Sequence, residues 1–89
     1  MKMDDVFKAA EEALGVPVAE PGLRNGRVVA VYPAIRTIDL GGQVVEFAQP
    51  GIGPALVDVI SGEVEALGSS IFSWPEWLAD DEGEDVYRE

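Results

Sequence analysis

Between residues 27 and 67 the chain consists of short β-branched runs broken by turn residues, and this pattern constrains the fold more than any other feature. RVVAVYP carries an apolar strand over residues 28–32 that Pro33 closes. It is apolar on both faces, which predicts a covered, central strand. IRTIDL and QVVEFA then flank Gly41-Gly42, a two-residue hairpin signature. Pairing across that turn sets Ile38 opposite Val45, Leu40 opposite Gln43 and Arg36 opposite Phe47. These six share one face, the better core candidate, and Thr37, Asp39, Val44 and Glu46 fall on the other.

After a break over residues 50–54, ALVDVI and EVEAL flank Ser61-Gly62 as a second hairpin. Pairing across those two residues alone would oppose Asp58 and Glu65, two like charges. A longer loop over residues 59–62 relieves the clash. It puts Asp58 opposite Glu63, lets the Asp58 carboxylate cap amides of the turn, and assigns Gly62 the left-handed position.

Helical signals lie at the two ends. Over residues 4–14, Val6, Ala10, Ala13 and Leu14 follow helical spacing, with Phe7 beside them. Asp4 or Asp5 is placed to cap the N-terminus, Asp4 pairs with Lys8 at i, i+4, and Gly15 and Pro17 end the helix. Residues 15–26 read as a loop, with a turn at Asn25-Gly26. Residues 74–82 read as a short helix with Ser73 as N-cap and Pro75 in its first turn. Trp74, Trp77 and Leu78 form its apolar edge, and about residues 80–89 read as a frayed acidic tail. The expected architecture is one α+β domain over residues 1–89. An N-terminal helix packs on a small antiparallel sheet of about five strands (one strand plus two hairpins), with a short C-terminal helix.

Composition removes most chemistry. The chain has no cysteine and no histidine. That excludes a disulfide framework, a thiolate metal site, a cysteine nucleophile and a Ser-His-Asp arrangement within it. A domain of 89 residues buries about 60–65 % of its unfolded surface, so the core is modest. No apolar run approaches the roughly 20 residues that span a bilayer, and MKMDDVF has no apolar segment of a secretory signal. The expectation is a cytoplasmic protein. Seventeen acids against six bases give a net charge of −11, which opposes direct binding to nucleic acids or anionic membranes and favours a basic partner.

Three site readings fail on the residues. Gly51 and Gly53 offer G-x-G, but Leu56 stands where the third glycine belongs, no helix follows Pro54, and the phosphate-binding lysine is missing. With Gly83 in the sixth position of a calcium loop, Leu78 would occupy the first, which excludes an EF-hand. Asp58, Glu63 and Glu65 could meet at the second hairpin, but acid–base work needs a pocket to part their pKa values. Turn capping by Asp58 and solvated glutamates explain them more simply. No cofactor and no metal is expected.

The residues left are at the C-terminal end. Seven acids and one arginine over residues 74–89 carry −6 of the net charge. Trp74 and Trp77 stand beside Asp80, Asp81, Glu82, Glu84 and Asp85. Aromatic anchors ringed by charge are a common interface design. The competing role for the tryptophans is to pin the C-terminal helix to the sheet of their own chain.

The run GIGPALVDVISGEVEALGSS, residues 51–70, resembles the signature of YrhB-like proteins, small bacterial proteins classed with toxin-immunity families. The resemblance rests on a glycine-proline opening, an apolar strand ending in Val-Asp, a Ser-Gly-Glu-Val turn and a closing Leu-Gly-Ser. The residues are Gly53, Pro54, Val57, Asp58, Ser61, Gly62, Glu63, Val64, Leu67, Gly68 and Ser69. It implies a helix followed by strands, an immunity-type role and no catalytic residues. The reading that unites these features is a non-enzymatic inhibitor that occludes a basic surface on a toxin, nuclease or defence effector. Its contacts would come from Trp74, Trp77, Asp80, Asp81, Glu82, Glu84 and Asp85. Two alternatives remain: a phage-type anti-defence protein mimicking nucleic-acid charge, and a structural subunit that pairs with copies of itself.

Overall fold

The computed structural model describes residues 1–34, 36–40, 43–47, 52–68 and 70–88, with backbone only for residues 36–40, 43–47 and 71. Helix α1 spans Met3–Leu14 and buries Val6, Phe7 and Ala10 along one side. Gly15 closes it in the left-handed conformation (φ 70°), its N–H donating to the Glu11 carbonyl at 2.8 Å. The start differs from expectation. Lys2 holds the N-cap position and no side chain caps the helix. Because α1 begins at Met3, Asp4 and Asp5 fall inside its first turn, where they face the positive end of the dipole. Asp4 accepts the expected ion pair from Lys8 at 3.0 Å.

Five strands form one antiparallel sheet: β1 (Gly22–Asn25), β2 (Val28–Val31), β5 (Ala55–Asp58), β6 (Val64–Ala66) and β7 (Glu84–Val86). Their order is β6-β5-β2-β1-β7, with β2 in the centre as its two apolar faces require. The hairpin of β3 (Arg36–Leu40) and β4 (Gln43–Phe47) has the expected register, Ile38 opposite Val45. It is a two-stranded sheet of its own and does not join the five. Its Gly41-Gly42 turn and its expected core face lie outside the described residues.

Two strands expected as loop and tail take the vacant places. β1 arises from the segment expected as a loop. The turn signal at Asn25-Gly26 is real, but Asn25 pairs with Val28, so Gly26 (φ 62°) and Arg27 make the turn and the preceding residues pair with β2. The tail expected to fray supplies β7, which pairs Gly22 with Val86 and Leu23 with Asp85. Past β7, Arg88 forms an ion pair with Glu11 and lies 5.4 Å from the Phe7 ring centroid, so the chain end is tied to α1.

The sheet is covered on both faces. Toward α1 it presents Val29, Val31, Ala55 and Val57, which pack with Val6, Phe7 and Ala10. Its other face carries Leu23 and Ala30, which Leu78 covers, with Tyr32, Leu56, Leu67, Trp74 and Trp77 at the margin. This second cover comes from Trp74 and from helix α2, Glu76–Ala79, which follow a 3₁₀ turn, Ile71–Ser73. α2 is shorter than the expected 74–82. Pro75, in extended backbone, holds the N-cap position, and the Ser73 hydroxyl donates to the Ser70 carbonyl instead of capping α2.

Candidate binding surface: the C-terminal acidic segment

Leu78 inserts against Leu23 and Ala30, and the two tryptophans follow it down. Both are half-buried, and the Trp74 indole Nε1–H donates to the Gly68 carbonyl at 2.8 Å. Trp74 and Trp77 therefore serve as pins between α2 and the sheet of their own chain. The exposed aromatic beside them is Phe72, at 97 %.

The way α2 ends determines where the acids go. The Glu82 N–H donates to the Trp77 carbonyl at 2.7 Å and the Asp81 N–H to the Leu78 carbonyl at 3.2 Å. Those two bonds define a Schellman motif, whose left-handed residue is normally glycine. Here it is Asp81, at φ 56°. The Asn25 side-chain amide then holds the Glu82 carbonyl at 3.1 Å. At Gly83 a Cβ would lie 2.5 Å from the Arg24 carbonyl oxygen, so only glycine lets the chain pass into β7.

Asp80, Asp81, Glu82, Glu84 and Asp85 are all exposed. None forms an ion pair among the described residues, where Lys8 pairs with Asp4, Arg27 with Asp58, and Arg88 with Glu11 and Glu20. The register separates two of them. Asp85 pairs with Leu23 and shares the α2 side of the sheet, whereas Glu84 pairs with Arg24 and shares the α1 side. Burial, and then the Asp81 carboxylate, raise the Tyr32 phenol above its ordinary pKa.

An aspartate in a glycine position has a cost in stability. Asp81→Gly is expected to stabilise the fold by about 0.5–1 kcal/mol, because the left-handed backbone is free of strain in glycine. Thermal unfolding followed by circular dichroism should show a midpoint a few degrees higher.

At the second hairpin the expected register holds. The Asp58 N–H donates to the Glu63 carbonyl at 2.9 Å, and Gly62 is left-handed at φ 79°. Asp58 Oδ1 accepts the amides of Ile60 (2.9 Å) and Ser61 (3.0 Å), and Oδ2 accepts Arg27 Nε at 2.7 Å. Arg27 foremost, then the Ser61 amide and, after an opposing desolvation, the Ile60 amide, lower its pKa to about 2. Asp58 is a turn residue in all these contacts.

Gly53 has an equally structural role. A Cβ there would collide with the Gly68 carbonyl and lie 2.6 Å from the Leu67 oxygen. The glycine lets two backbones touch, which is not the geometry of a phosphate cradle.

One feature has no sequence signal. A shallow groove of about 430 Å³ runs beside β6, lined by Val28, Leu56, Asp58, Glu63, Val64 and Glu65. Among the described residues no group of three or more acids is placed to hold a metal ion. No helix among the described residues is long and apolar enough to cross a membrane.

The chain matches no family model, no curated protein and no solved structure. The likeness to YrhB-like proteins thus rests on residues 51–70 alone.

Proposed function

We propose that this chain is a non-enzymatic binding protein of inhibitor or immunity type, and that residues 80–85 occlude a basic surface on a protein partner. The observation that carries this reading is Asp81. An acidic side chain stands in a left-handed position where glycine would cost less, and its neighbours Asp80, Glu82 and Asp85 are exposed and without ion pairs among the described residues. Strain kept at one point suggests a use for the residue that carries it. The net charge of −11 adds long-range attraction for a cationic partner.

Within this reading Trp74 and Trp77 act from behind. They fix α2 and its C-terminal turn to the sheet, so the carboxylates meet a partner already ordered and lose little entropy on binding. The resemblance of residues 51–70 to YrhB-like proteins is in keeping with an immunity-type role.

Affinity capture from a lysate of the source organism tests the proposal. A column of the wild-type chain should retain a basic protein at low salt. A column carrying Asp80→Lys, Asp81→Lys and Glu82→Lys should lose it. Retention of the same proteins on both columns would remove the segment from the mechanism.

A further inference from the structure

We propose that β6 and the groove beside it form a second binding surface, which takes an extended cationic segment of a protein partner by strand addition. Among the described residues β6 lies at the edge of the sheet with β5 as its one strand neighbour, and all three of its residues are exposed. An open edge offers alternate backbone N–H and C=O groups to an incoming strand. The surface is independent of residues 80–85, which lead into and form β7 at the opposite edge.

The chemistry of the groove selects the occupant. Val28, Leu56 and Val64 supply apolar lining, and Asp58, Glu63 and Glu65 supply carboxylates. Asp58 is held by Arg27, whereas Glu63 and Glu65 form no ion pair among the described residues. Glu65 pairs with Leu56 across the strands, so one apolar and one anionic position stand side by side on the same face. A lysine or arginine side chain of a strand added outside β6 stands next to Glu65, whose carboxylate takes its charge, and its methylene stem extends toward Leu56 one strand further in. Alternation along a strand would bring every second residue of the incoming segment to this face.

The same carboxylates disfavour self-pairing. A second copy of β6 laid against the first would bring Glu63 and Glu65 close to their own equivalents, and like charges across a strand pair are unfavourable.

The test is a titration of the ¹⁵N-labelled chain with a short peptide of alternating lysine and valine. A second peptide of equal charge has proline in place of every valine. Amide shifts should centre on residues 63–66, and the proline peptide, which cannot pair throughout, should bind about tenfold more weakly or worse. Glu65→Lys, an exposed change, should weaken the lysine–valine peptide by a similar factor. Equal affinity for the two peptides would overturn strand addition. Absence of binding, or shifts centred on residues 80–85, would overturn the site. Concentration-dependent broadening of the amides of residues 64–66 without peptide would assign the edge to a second copy and overturn the proposal.

Discussion

Replacing Phe7 by alanine should cost about 3–5 kcal/mol, the usual range for removing a buried phenylalanine. Phe7 is fully buried on α1 and is the largest fully buried side chain among the described residues. It packs with Val29, Val31, Ala55 and Val57 on one side of the sheet. Its ring tip approaches Gly22 so closely that a Cβ there would stand 3.3 Å from Phe7 Cζ. The Arg88 guanidinium rests over the same ring, so the loss reaches beyond the core. Without the ring, Arg88 keeps only its carboxylate partners and β7 loses one of its ties to α1. A domain of 89 residues has about 4–13 kcal/mol of total stability, so the variant should lose a large share of it. A thermal midpoint lowered by more than about 12 °C is the expected reading. Phe7→Leu, which keeps most of the volume, should lose less than about 1.5 kcal/mol. A midpoint unchanged in Phe7→Ala would contradict the packing described.

The second large effect is expected at Gly53. The position looks like half of a glycine motif in sequence, and its function is contact. Two backbone strands meet there, with Leu67 N–H donating to the Pro54 carbonyl at 2.8 Å. In Gly53→Ala the new methyl would meet Gly68 C at 2.5 Å and Leu67 O at 2.6 Å, both backbone atoms. No rotamer can relieve that clash, so residues 67–68 must move. The Gly68 carbonyl is also the acceptor of the Trp74 indole, so the shift reaches the cover on the second face. The cost should be about 1–3 kcal/mol or more. Urea unfolding and tryptophan emission should report it together, as lower stability and a more solvent-exposed Trp74. Gly68→Ala is the control, because nothing lies within 4 Å of a Cβ at that position. Equal stability of the two variants would overturn the contact.

What the sequence conveys correctly about the fold is local. Gly15 ends α1 and Gly62 closes the second hairpin, because both need a left-handed backbone. The Asp58 register follows from the like-charge clash with Glu65 that pairing across Ser61-Gly62 alone would create. β2 is legible as central because apolar residues fill both of its faces.

β1 and β7 are not legible, for one shared reason. Gly22 and Asn25 are poor strand formers, as are Glu84 and Asp85. They are strands because β2 offers an edge to β1, and β1 then offers one to β7. The loss of the β3–β4 hairpin from the main sheet is equally non-local, since its own register satisfies it without naming a neighbour.

At the candidate surface the acids are legible by composition, and their arrangement is not. Asp81 looks like any other acid of the run until the turn after α2 places it at φ 56°. The tryptophans satisfy the same spacing whether they face a partner or the sheet, and their packing against Leu23, Ala30 and Leu78 is visible only in three dimensions. The groove at β6 depends on Leu56 and Val28, which adjacent strands bring beside Glu65.

The most direct measurement of the central claim is the association rate with the captured basic partner, followed across ionic strength for the wild-type chain and for Asp80→Lys, Asp81→Lys, Glu82→Lys. Electrostatic steering by residues 80–85 requires a fast wild-type rate that falls steeply with salt. The expected result for the variant is a slower rate with a flattened salt dependence. Equal rates with equal salt dependence in the two chains would contradict a role for this segment in recognition.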